Sequence, residues 1–465
     1  MNPVFSDRIP NTNVALPSNS VPYIVALVVG GISLSFGVFW LSALGLSACA
    51  YYLLRLVLDA GADLPIESFI LVMASGQWIL GPVLTYAGLS DHYKYYMYVP
   101  EDEYMTLVVP AVILYSIGLY SFRSRSRIVY INHNAAITRD IVSRAGFLPA
   151  YLIAVGVVFS FVSDMLPPSL AFPGYVLANI KYIGLIYLIF SDRQENKAAI
   201  LLVAFALTLA SSLRTTMFHD LILWTAFVGM YLAYIYRPGL ARKVLMAGLG
   251  LLMIFTIQAV KDDYRSKREK LGYTTEVGVE SFVQSIEDRF EANEKLRANN
   301  IERMVVRMNQ GWIISRIMQQ VPSRVPHAHG QTIITAAKSS VLPRILYPDK
   351  PEAGGKENYE KYTGYYLGVG TSMGISLLGE AYINFGVRGA WVFMFIFGLI
   401  SSWVIKRIFL LSQKYPTIWL WIPLILFHFV KAETELLVQL NFLVKALVLV
   451  YLFVWANKHF FRLKL

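Results

Sequence analysis

Long apolar segments separated by short polar connections are the dominant feature of this sequence. A helix that crosses a membrane needs about 20 mostly apolar residues, because each residue advances about 1.5 Å through a hydrocarbon core about 30 Å thick. The apolar run at 22–58 is about twice that length and has Gly30, Gly31 and Gly37 near its middle. It predicts two short helices joined by a tight turn, and one long tilted helix is the alternative.

The same length criterion predicts further spans along the chain. They are expected near 67–88, 104–121, 147–165, 171–190, 198–213, 219–236, 240–259, 376–404, 417–432 and 437–457. Hydrophobic residues make up 56% of the 465 residues and charged residues only 15%, which excludes soluble domains of this length. The prediction is an all-α polytopic membrane protein with about twelve transmembrane helices.

The predicted spans divide the chain into five parts. These are an N-terminal tail at 1–21, helices one to nine at 22–260, a polar loop at 261–375, helices ten to twelve at 376–457, and a basic tail at 458–465. The loop is far longer than an ordinary connection and is expected to fold as a small cap domain. Within it, apolar residues at helical spacing predict a surface helix at 301–320, lying along the outer leaflet.

The net charge of +11 comes largely from lysine and arginine in the short loops. Counting the predicted spans alternately places these basic loops on one side, which the positive-inside rule assigns to the cytoplasm. Both termini are then cytoplasmic and the large loop is extracytoplasmic. The charge therefore needs no nucleic-acid partner. The basic loops include Arg123, Arg125, Arg127, Arg193, Lys197, Arg237, Arg242, Lys243, Lys406, Arg407 and Lys414.

Several classes of site are disfavoured by the sequence. A single cysteine, Cys49, excludes an internal disulfide and a thiolate metal cluster. No Walker loop, dinucleotide-binding GxGxxG or HExxH motif is present. His327 and His329 stand two residues apart without neighbouring cysteines or carboxylates, so we expect no metal there. A role in acid–base transfer, or simple loop exposure, fits them better.

Four cations on the predicted outer side form a candidate anion site. Arg214, Arg307, Arg344 and Lys350 would match phosphate oxygens, because guanidinium groups donate paired hydrogen bonds and lysine adds a mobile point charge. The alternative is that these cations contact lipid headgroups.

Glu380 is the candidate general base. It lies in a glycine- and tyrosine-containing stretch that re-enters the membrane, where a partly desolvated carboxylate is suited to accept a proton from a hydroxyl. A salt bridge to Arg388 or Arg344 is the alternative, and Asp349 fits a turn residue. Tyrosines cluster at 93–104 and 358–374, as expected for an interfacial aromatic belt, or for stacking against sugar rings.

Four motifs in order carry a resemblance to a known family. They are SSLRTT around Arg214, RMNQGWIISRIMQQVP in the large loop, LPRILYPDKP at 342–351 and LLGEAYINFG at 377–386. The layout resembles bacterial oligosaccharide repeat-unit polymerases of the Wzy type, which are related to the O-antigen ligases and to GT-C-like membrane glycosyltransferases. Tyr347 stands where the family pattern has tryptophan.

The resemblance implies a metal-independent glycosyltransferase without a cofactor in the bacterial inner membrane. It would join glycan repeat units carried on undecaprenyl diphosphate, among membrane lipids and alongside a flippase and a chain-length regulator. Glu380, Arg214 and Arg344 would be catalytic. The substrate would be bound by Arg307, Lys350, Asp349, Tyr382, Asn384, His327 and His329. An O-antigen ligase and a non-enzymatic lipid-linked glycan flippase or transporter are the alternatives.

The predicted topology is tested with reporter fusions. Fusions at Arg125, Arg193 and Lys406 are expected to give a cytoplasmic signal, because all three residues lie in basic loops. A fusion near Glu291 is expected to report from the outer side. A cytoplasmic signal at Glu291 contradicts an extracytoplasmic site in the large loop.

Overall fold

A computed structural model describes residues 20–460, apart from 91, 124, 193–196, 216–217, 272–279, 283, 286, 288–301, 344–345, 352–353 and 369–370. Within these residues the chain forms helices and loops, and no strand. The predicted all-α class is therefore confirmed. Arg344 and most of both predicted tails lie outside the described residues.

The first half of the chain is a series of helices. They are α1 (Val21–Ser35), α2 (Trp40–Asp59), α3 (Ile66–Ser75), α4 (Gly81–Tyr86), α5 (Glu101–Tyr120), α6 (Arg125–Arg144), α7 (Leu148–Val162), α8 (Pro168–Phe190), α9 (Lys197–Thr215), α10 (His219–Tyr236) and α11 (Leu240–Leu271). A π-helical turn, Gly76–Leu80, joins α3 to α4.

The second half contains both short and long helices. They are α12 (Gly311–Gln320), α13 (Gln331–Val341), α14 (Lys356–Thr363), α15 (Leu377–Leu411), α16 (Ile422–Ile425) and α17 (Leu436–Phe460). A helical stretch at 302–308 precedes α12.

Six helices in the described part of the chain are long and apolar enough to cross a membrane. They are Trp40–Asp59, Ile66–Tyr86, Glu101–Tyr120, Phe172–Phe190, Leu377–Leu411 and Leu436–His459, and the bent pair α6 and α7 makes a seventh if it is one span. These helices indicate a membrane protein. The predicted count of about twelve spans and the GT-C-like arrangement are not confirmed.

The apolar run at 22–58 does form two helices. The turn between α1 and α2 contains Gly37, whose positive φ of 76° favours glycine. With 15 residues, α1 is shorter than an ordinary span.

The predicted span at 417–432 is wrong. In its place stand a short 3₁₀ turn, Ile418–Trp421, and α16 of four residues, followed by irregular chain up to Leu436. Apolar composition alone cannot separate a buried irregular segment from a spanning helix. This apolar segment is surrounded by protein, since Trp419, Trp421 and Phe427 are each at most 1% exposed.

The predicted surface helix at 301–320 is also wrong in its setting. Its second half is α12, in which Trp312, Ile314 and Ile317 are buried. The backbone N–H of Gln310 donates to the carbonyl of Gln77 in the π-helical turn (3.1 Å). The large loop therefore enters the helical core rather than covering it, because an apolar helix face packs on protein as readily as on lipid.

Glycines set the closest helix crossing. A β-carbon at Gly118 of α5 would overlap the carbonyl oxygen of Phe395, and one at Gly398 of α15 would lie 2.5 Å from the carbonyl oxygen of Tyr115. Small residues allow helix backbones in membranes to approach this closely. The crossing of α5 and α15 holds the part of α15 beyond its kink.

The kink itself lies at Gly386, where φ is 64° and ψ is −166°. This conformation is essentially restricted to glycine. The first segment of α15, from Leu377 to the kink, therefore points away from the rest of the helix. The Ser376 side chain caps it by accepting the N–H of Gly379, and Glu380 lies on this segment.

Acidic residues from the end of α2 to the first turn of α3 bind two arginines, one just before α6 and one in its first turn. Arg123 bridges Asp59 and Asp63 (2.8 Å each), whereas Arg127 contacts Glu67 and lies 3.3 Å from Asp63. Arg127 is only 7% exposed. A buried charge with these partners becomes costly if one of them is removed.

Arg127→Met is expected to lower the free energy of unfolding by about 3–5 kcal/mol, because it removes the ion-pair partner of the buried Glu67 carboxylate. Thermal unfolding of the detergent-solubilised protein measures this loss. Arg144→Met is the matched control, since Arg144 pairs with Asp140 on the surface (2.8 Å), where such pairs contribute little. Equal stability of the two variants contradicts a structural role for the buried network.

Candidate functional site

The irregular segment 426–435 between α16 and α17 carries several ionisable residues into the core. His428, Lys431, Glu433 and Glu435 all lie on it. The Thr434 hydroxyl holds the segment by donating to the carbonyls of Lys431 (2.8 Å) and His428 (3.1 Å). Ionisable groups buried inside a protein are costly and cluster at functional sites.

Glu380 connects α15 to α17. Its side chain is buried, and Oε2 accepts the backbone N–H of Leu436 (2.8 Å), the first residue of α17. The first N–H groups of a helix have no partner within it, and a carboxylate there also interacts favourably with the helix dipole. No ion pair joins Glu380 to Arg388 among the described residues, which leaves the predicted salt bridge to Arg388 without support.

Glu435 is the neighbouring carboxylate. It is 1% exposed, and its Oε2 accepts a hydrogen bond from Nδ2 of Asn358 on α14 (3.0 Å). Burial raises the pKa of Glu435 to about 7, repulsion from Glu380 and Glu357 adds to the rise, and the hydrogen bond from Asn358 opposes it. A carboxylate with this pKa exchanges protons near neutral pH.

Two cavities are lined in part by Glu435. The α14 cavity, of about 290 Å³, is lined by residues of α13, α14, the loop between them and the start of α17, including Thr332, Thr335, Tyr347, Asp349, Glu357, Asn358, Lys361, Tyr362 and Glu435. The His428 cavity, of about 380 Å³, is lined by Gln310, Ile313, Ser372, Met373, His428, Lys431, Glu433, Thr434, Glu435 and others. Glu435 is shared by both linings.

Carboxylates outnumber cations in both linings. The first lining has Asp349, Glu357 and Glu435 against Lys361. The second has Glu433 and Glu435 against Lys431, and it also contains His428, which is neutral because burial holds its pKa well below the usual value. Carboxylates accept hydrogen bonds from hydroxyl groups but repel phosphate. The two cavities suit a hydroxyl-rich, uncharged group better than a diphosphate.

Lys431 is neutralised by Asp220 of α10. Its Nζ lies 2.7 Å from Oδ1 of Asp220, and the Tyr175 hydroxyl of α8 donates to the other carboxylate oxygen (2.7 Å). His219 lies 3.3 Å from Glu433. These contacts attach the irregular segment to α8 and α10 and leave Lys431 little charge for an anion.

The four predicted anion-binding cations are not assembled in the described residues. Arg344 lies outside them, and the Arg214 side chain, on α9, is likewise not described. Arg307 lies in the helical stretch 302–308, where burial lowers its pKa although nearby Tyr95 opposes the change. Lys350 donates to the carbonyl of Leu342 (3.3 Å). Neither Arg307 nor Lys350 lines the two cavities, so the anion site stays a prediction.

Tyr382 and Asn384 attach the loop 321–332 to the first segment of α15. The Tyr382 hydroxyl donates to the carbonyl of Val321 (3.0 Å). The Asn384 side chain accepts from the N–H of Gly330 (2.9 Å) and donates to the Thr332 hydroxyl (2.7 Å). The structure thus gives both predicted substrate-binding residues a positioning contact.

The two predicted loop histidines lie at the kink of α15. Nδ1 of His327 is 3.1 Å from the carbonyl oxygen of Ile383, and the His327 and His329 rings are 6.3 Å apart. The described residues contain no group of three or more His, Cys, Asp or Glu side chains that could hold a metal ion. Asp349, which was interpreted from the sequence as a turn residue, lines the α14 cavity.

Ser372 lies in the pentapeptide GTSMG, which has the GxSxG spacing of serine hydrolases. That motif acts from a sharp strand-to-helix turn. The stretch 371–376 is irregular chain and no strand precedes it in the described residues, so the context of a nucleophilic serine is missing.

Glu435 and Asn358 were not among the predicted catalytic or substrate-binding residues. The available signal was the motif KAETE at 431–435, a cluster of charges directly after an apolar segment. Asn358 had no such signal, because its role depends on a contact across 77 positions of the chain.

Comparison with known proteins gives one match. No curated protein and no solved structure matches the chain. Residues 87–455 match the family model DUF8712, described as a domain of unknown function, and this range contains Glu380, Glu435 and all residues lining both cavities. The chain belongs to the DUF8712 family.

Proposed function

We propose that this protein is a membrane glycosyltransferase that polymerises oligosaccharide repeat units carried on undecaprenyl diphosphate. The reaction would take place at the outer face of the bacterial inner membrane, with both termini in the cytoplasm. The observation that supports this proposal most is Glu435, a buried carboxylate with a pKa of about 7 that lines two hydroxyl-compatible cavities.

In this proposal Glu435 is the general base. One cavity holds the sugar hydroxyl of the incoming repeat unit, and the other holds the sugar attached to the diphosphate of the growing chain. Glu435 takes the hydroxyl proton while the hydroxyl oxygen forms a bond to the anomeric carbon. The bond from that carbon to the diphosphate breaks, and the diphosphate leaves with the electron pair. A base with a pKa near the working pH is most effective in such a step.

Glu380 has a positioning role in this scheme, although the sequence made it the candidate base. Its carboxylate is engaged by the N–H of Leu436, and it lines neither cavity. Its charge repels that of Glu435 and so contributes to the raised pKa of Glu435.

The diphosphate is assigned to the cations predicted from the sequence, Arg214 and Arg344. The acidic linings of both cavities support this separation, because they favour sugar hydroxyls over phosphate. Transfer to a lipid A core by an O-antigen ligase uses the same chemistry and differs only in the acceptor. Product analysis separates the two: long lipid-linked polymers are expected here.

A non-enzymatic flippase or transporter is the second candidate. The buried pair of Lys431 and Asp220 (2.7 Å) and the irregular segment within the helical core favour it, since transporters place such features at substrate sites. Loss of a transporter leaves repeat units at the cytoplasmic face. Loss of a polymerase leaves them at the outer face.

Glu435→Gln is expected to lower the rate of polymerisation by about 10²–10⁴-fold, because the amide cannot accept the hydroxyl proton. Membrane abundance should be unchanged, and single lipid-linked repeat units should accumulate at the outer face. Gel analysis of the glycans measures the polymer and the repeat units, and immunoblotting of membranes measures the abundance of the protein. Glu103→Gln, at an exposed position, is the matched control. Wild-type polymer from Glu435→Gln contradicts the role of Glu435 as base.

The pH dependence of the rate tests the coupling of the two carboxylates. Glu435 must be deprotonated to act as base, so the rate should rise with pH through about 7 and level off above it. Glu380→Gln removes a charge that disfavours the deprotonated form, and the midpoint is expected to fall. Rates measured in isolated membranes with lipid-linked repeat units give the profile. An unchanged midpoint would show that Glu380 acts only on structure.

A further inference from the structure

Tyrosines from two distant parts of the chain pack together. Tyr98, in the loop before α5, lies beside Tyr365, in the loop after α14, and Tyr96 packs against Tyr98. The hydroxyls of Tyr98 and Tyr365 are 2.7 Å apart, and the rings of Tyr96 and Tyr98 are centred 4.2 Å apart. We call these three residues, with Tyr93 and Tyr366 from the same loops, the tyrosine platform.

An arginine holds the platform rings in place. The Arg316 guanidinium of α12 lies 5.0 Å from the centre of the Tyr98 ring and 4.7 Å from that of Tyr365, within cation–π range. Arg316 is itself fixed by the carbonyl of Thr363 (2.8 Å) and the side chain of Gln319 (2.5 Å). Arg316 thus fixes the Tyr98 and Tyr365 rings, which form the base of the platform, in advance of any ligand, and a fixed base reduces the entropic cost of binding.

The platform leaves aromatic faces open. Tyr93, Tyr96 and Tyr366 are 85%, 45% and 89% exposed. Tyrosine combines an apolar ring face with a polar hydroxyl and loses little conformational freedom on binding. Such a surface fits a pyranose ring, whose C–H face packs on an aromatic ring while its hydroxyls form hydrogen bonds at the edge.

The platform follows the α14 cavity closely along the chain. Lys361 and Tyr362, in the last turn of α14, line that cavity. The helix is capped by Gly364, which has a φ of 71°, and Tyr365 and Tyr366 follow directly. The platform therefore begins three residues after the last α14 residue that lines the cavity.

A membrane-interface belt explains the platform less well. Belt tyrosines place their hydroxyls among lipid headgroups, whereas here the Tyr98 hydroxyl is bonded to that of Tyr365 and donates to the carbonyl of Lys94 (2.9 Å). The flanking cations, Lys94 and Arg316, contact the rings themselves.

We propose that the tyrosine platform is a binding site for the pyranose rings of the growing glycan, as it leaves the α14 cavity. This inference rests on the proposed function, and it adds the site that retains the chain between successive additions. Binding is non-covalent, by stacking on the exposed rings of Tyr93, Tyr96 and Tyr366.

The test uses the purified full-length protein in nanodiscs. The probe is the surface polysaccharide of the host cell, cut to fragments by mild acid and sorted by size. Tyr96→Ala and Tyr366→Ala are each expected to weaken fragment binding about tenfold, as loss of an anchoring aromatic ring commonly does. Tyr96→Trp should keep it. Tyr451→Ala is the control, because Tyr451 is 68% exposed on α17, away from both loops in the sequence.

The polymer provides a second measurement. The platform variants should form the first linkage at the wild-type rate but release shorter chains, since retention and not chemistry is impaired. Full-length polymer together with unchanged fragment binding in the Tyr96→Ala, Tyr366→Ala double variant overturns the proposal. The protein has nine tryptophans of its own, so the fluorescence added by Tyr96→Trp is taken as the difference from the wild-type protein. Quenching of this added fluorescence by lipids brominated on their acyl chains also overturns the proposal, because the ring at position 96 then lies in the membrane.

Glu435→Gln separates this proposal from the proposed function. Fragment binding should be retained in that variant while polymerisation is lost. Wild-type polymer from Glu435→Gln, with binding lost in the tyrosine variants, leaves the glycan site standing and refutes the catalytic role of Glu435. Loss of polymer in Glu435→Gln, with unchanged fragment binding in the tyrosine variants, supports the catalytic role of Glu435 and refutes the glycan site.

Discussion

The hydrogen bond between the Glu380 carboxylate and the N–H of Leu436 joins the first turns of α15 and α17. Each of these helices begins inside the protein, and the first N–H groups of each have no acceptor within the helix itself. Glu380, which lies on the first segment of α15, supplies the acceptor for the first N–H of α17. Glu435, one residue before Leu436, is thereby held next to a second carboxylate, and its pKa follows from that proximity and from burial.

Hydropathy predicted the long helices well. The bounds of α2, α5 and α17 fall within a few residues of the predicted spans, because about 20 apolar residues in lipid leave few alternatives to a helix. Prediction failed at 417–432 and at 301–320, where apolar residues face protein and not lipid. In both cases the local sequence pattern shows that a segment is apolar, but it does not show whether protein or lipid surrounds that segment.

The site was predicted in part. Glu380 was proposed as the base because it lies at the edge of an apolar span, whereas Asp349 was interpreted as a turn residue and linked to substrate only by the family resemblance. Asp349 lines the α14 cavity. Glu435 lies in a short charged motif that the sequence offered but that carried no pattern of its own. Its pairing with Asn358, and the pairing of Tyr98 with Tyr365, join residues 77 and 267 positions apart. Such contacts follow from the packing of the large loop and not from any local spacing.

The kink at Gly386 has a consequence for the loop that holds His327. In an uninterrupted helix the carbonyl of Ile383 would accept the N–H of Val387, four residues on. At the kink this carbonyl accepts the N–H of Ala328 (2.9 Å) and lies beside the His327 ring. The helix and the loop therefore compete for one acceptor, and the backbone angles of a single glycine decide the outcome. Any motion that straightened α15 would therefore release the loop 321–330. It would also free the start of α13, which lines the α14 cavity.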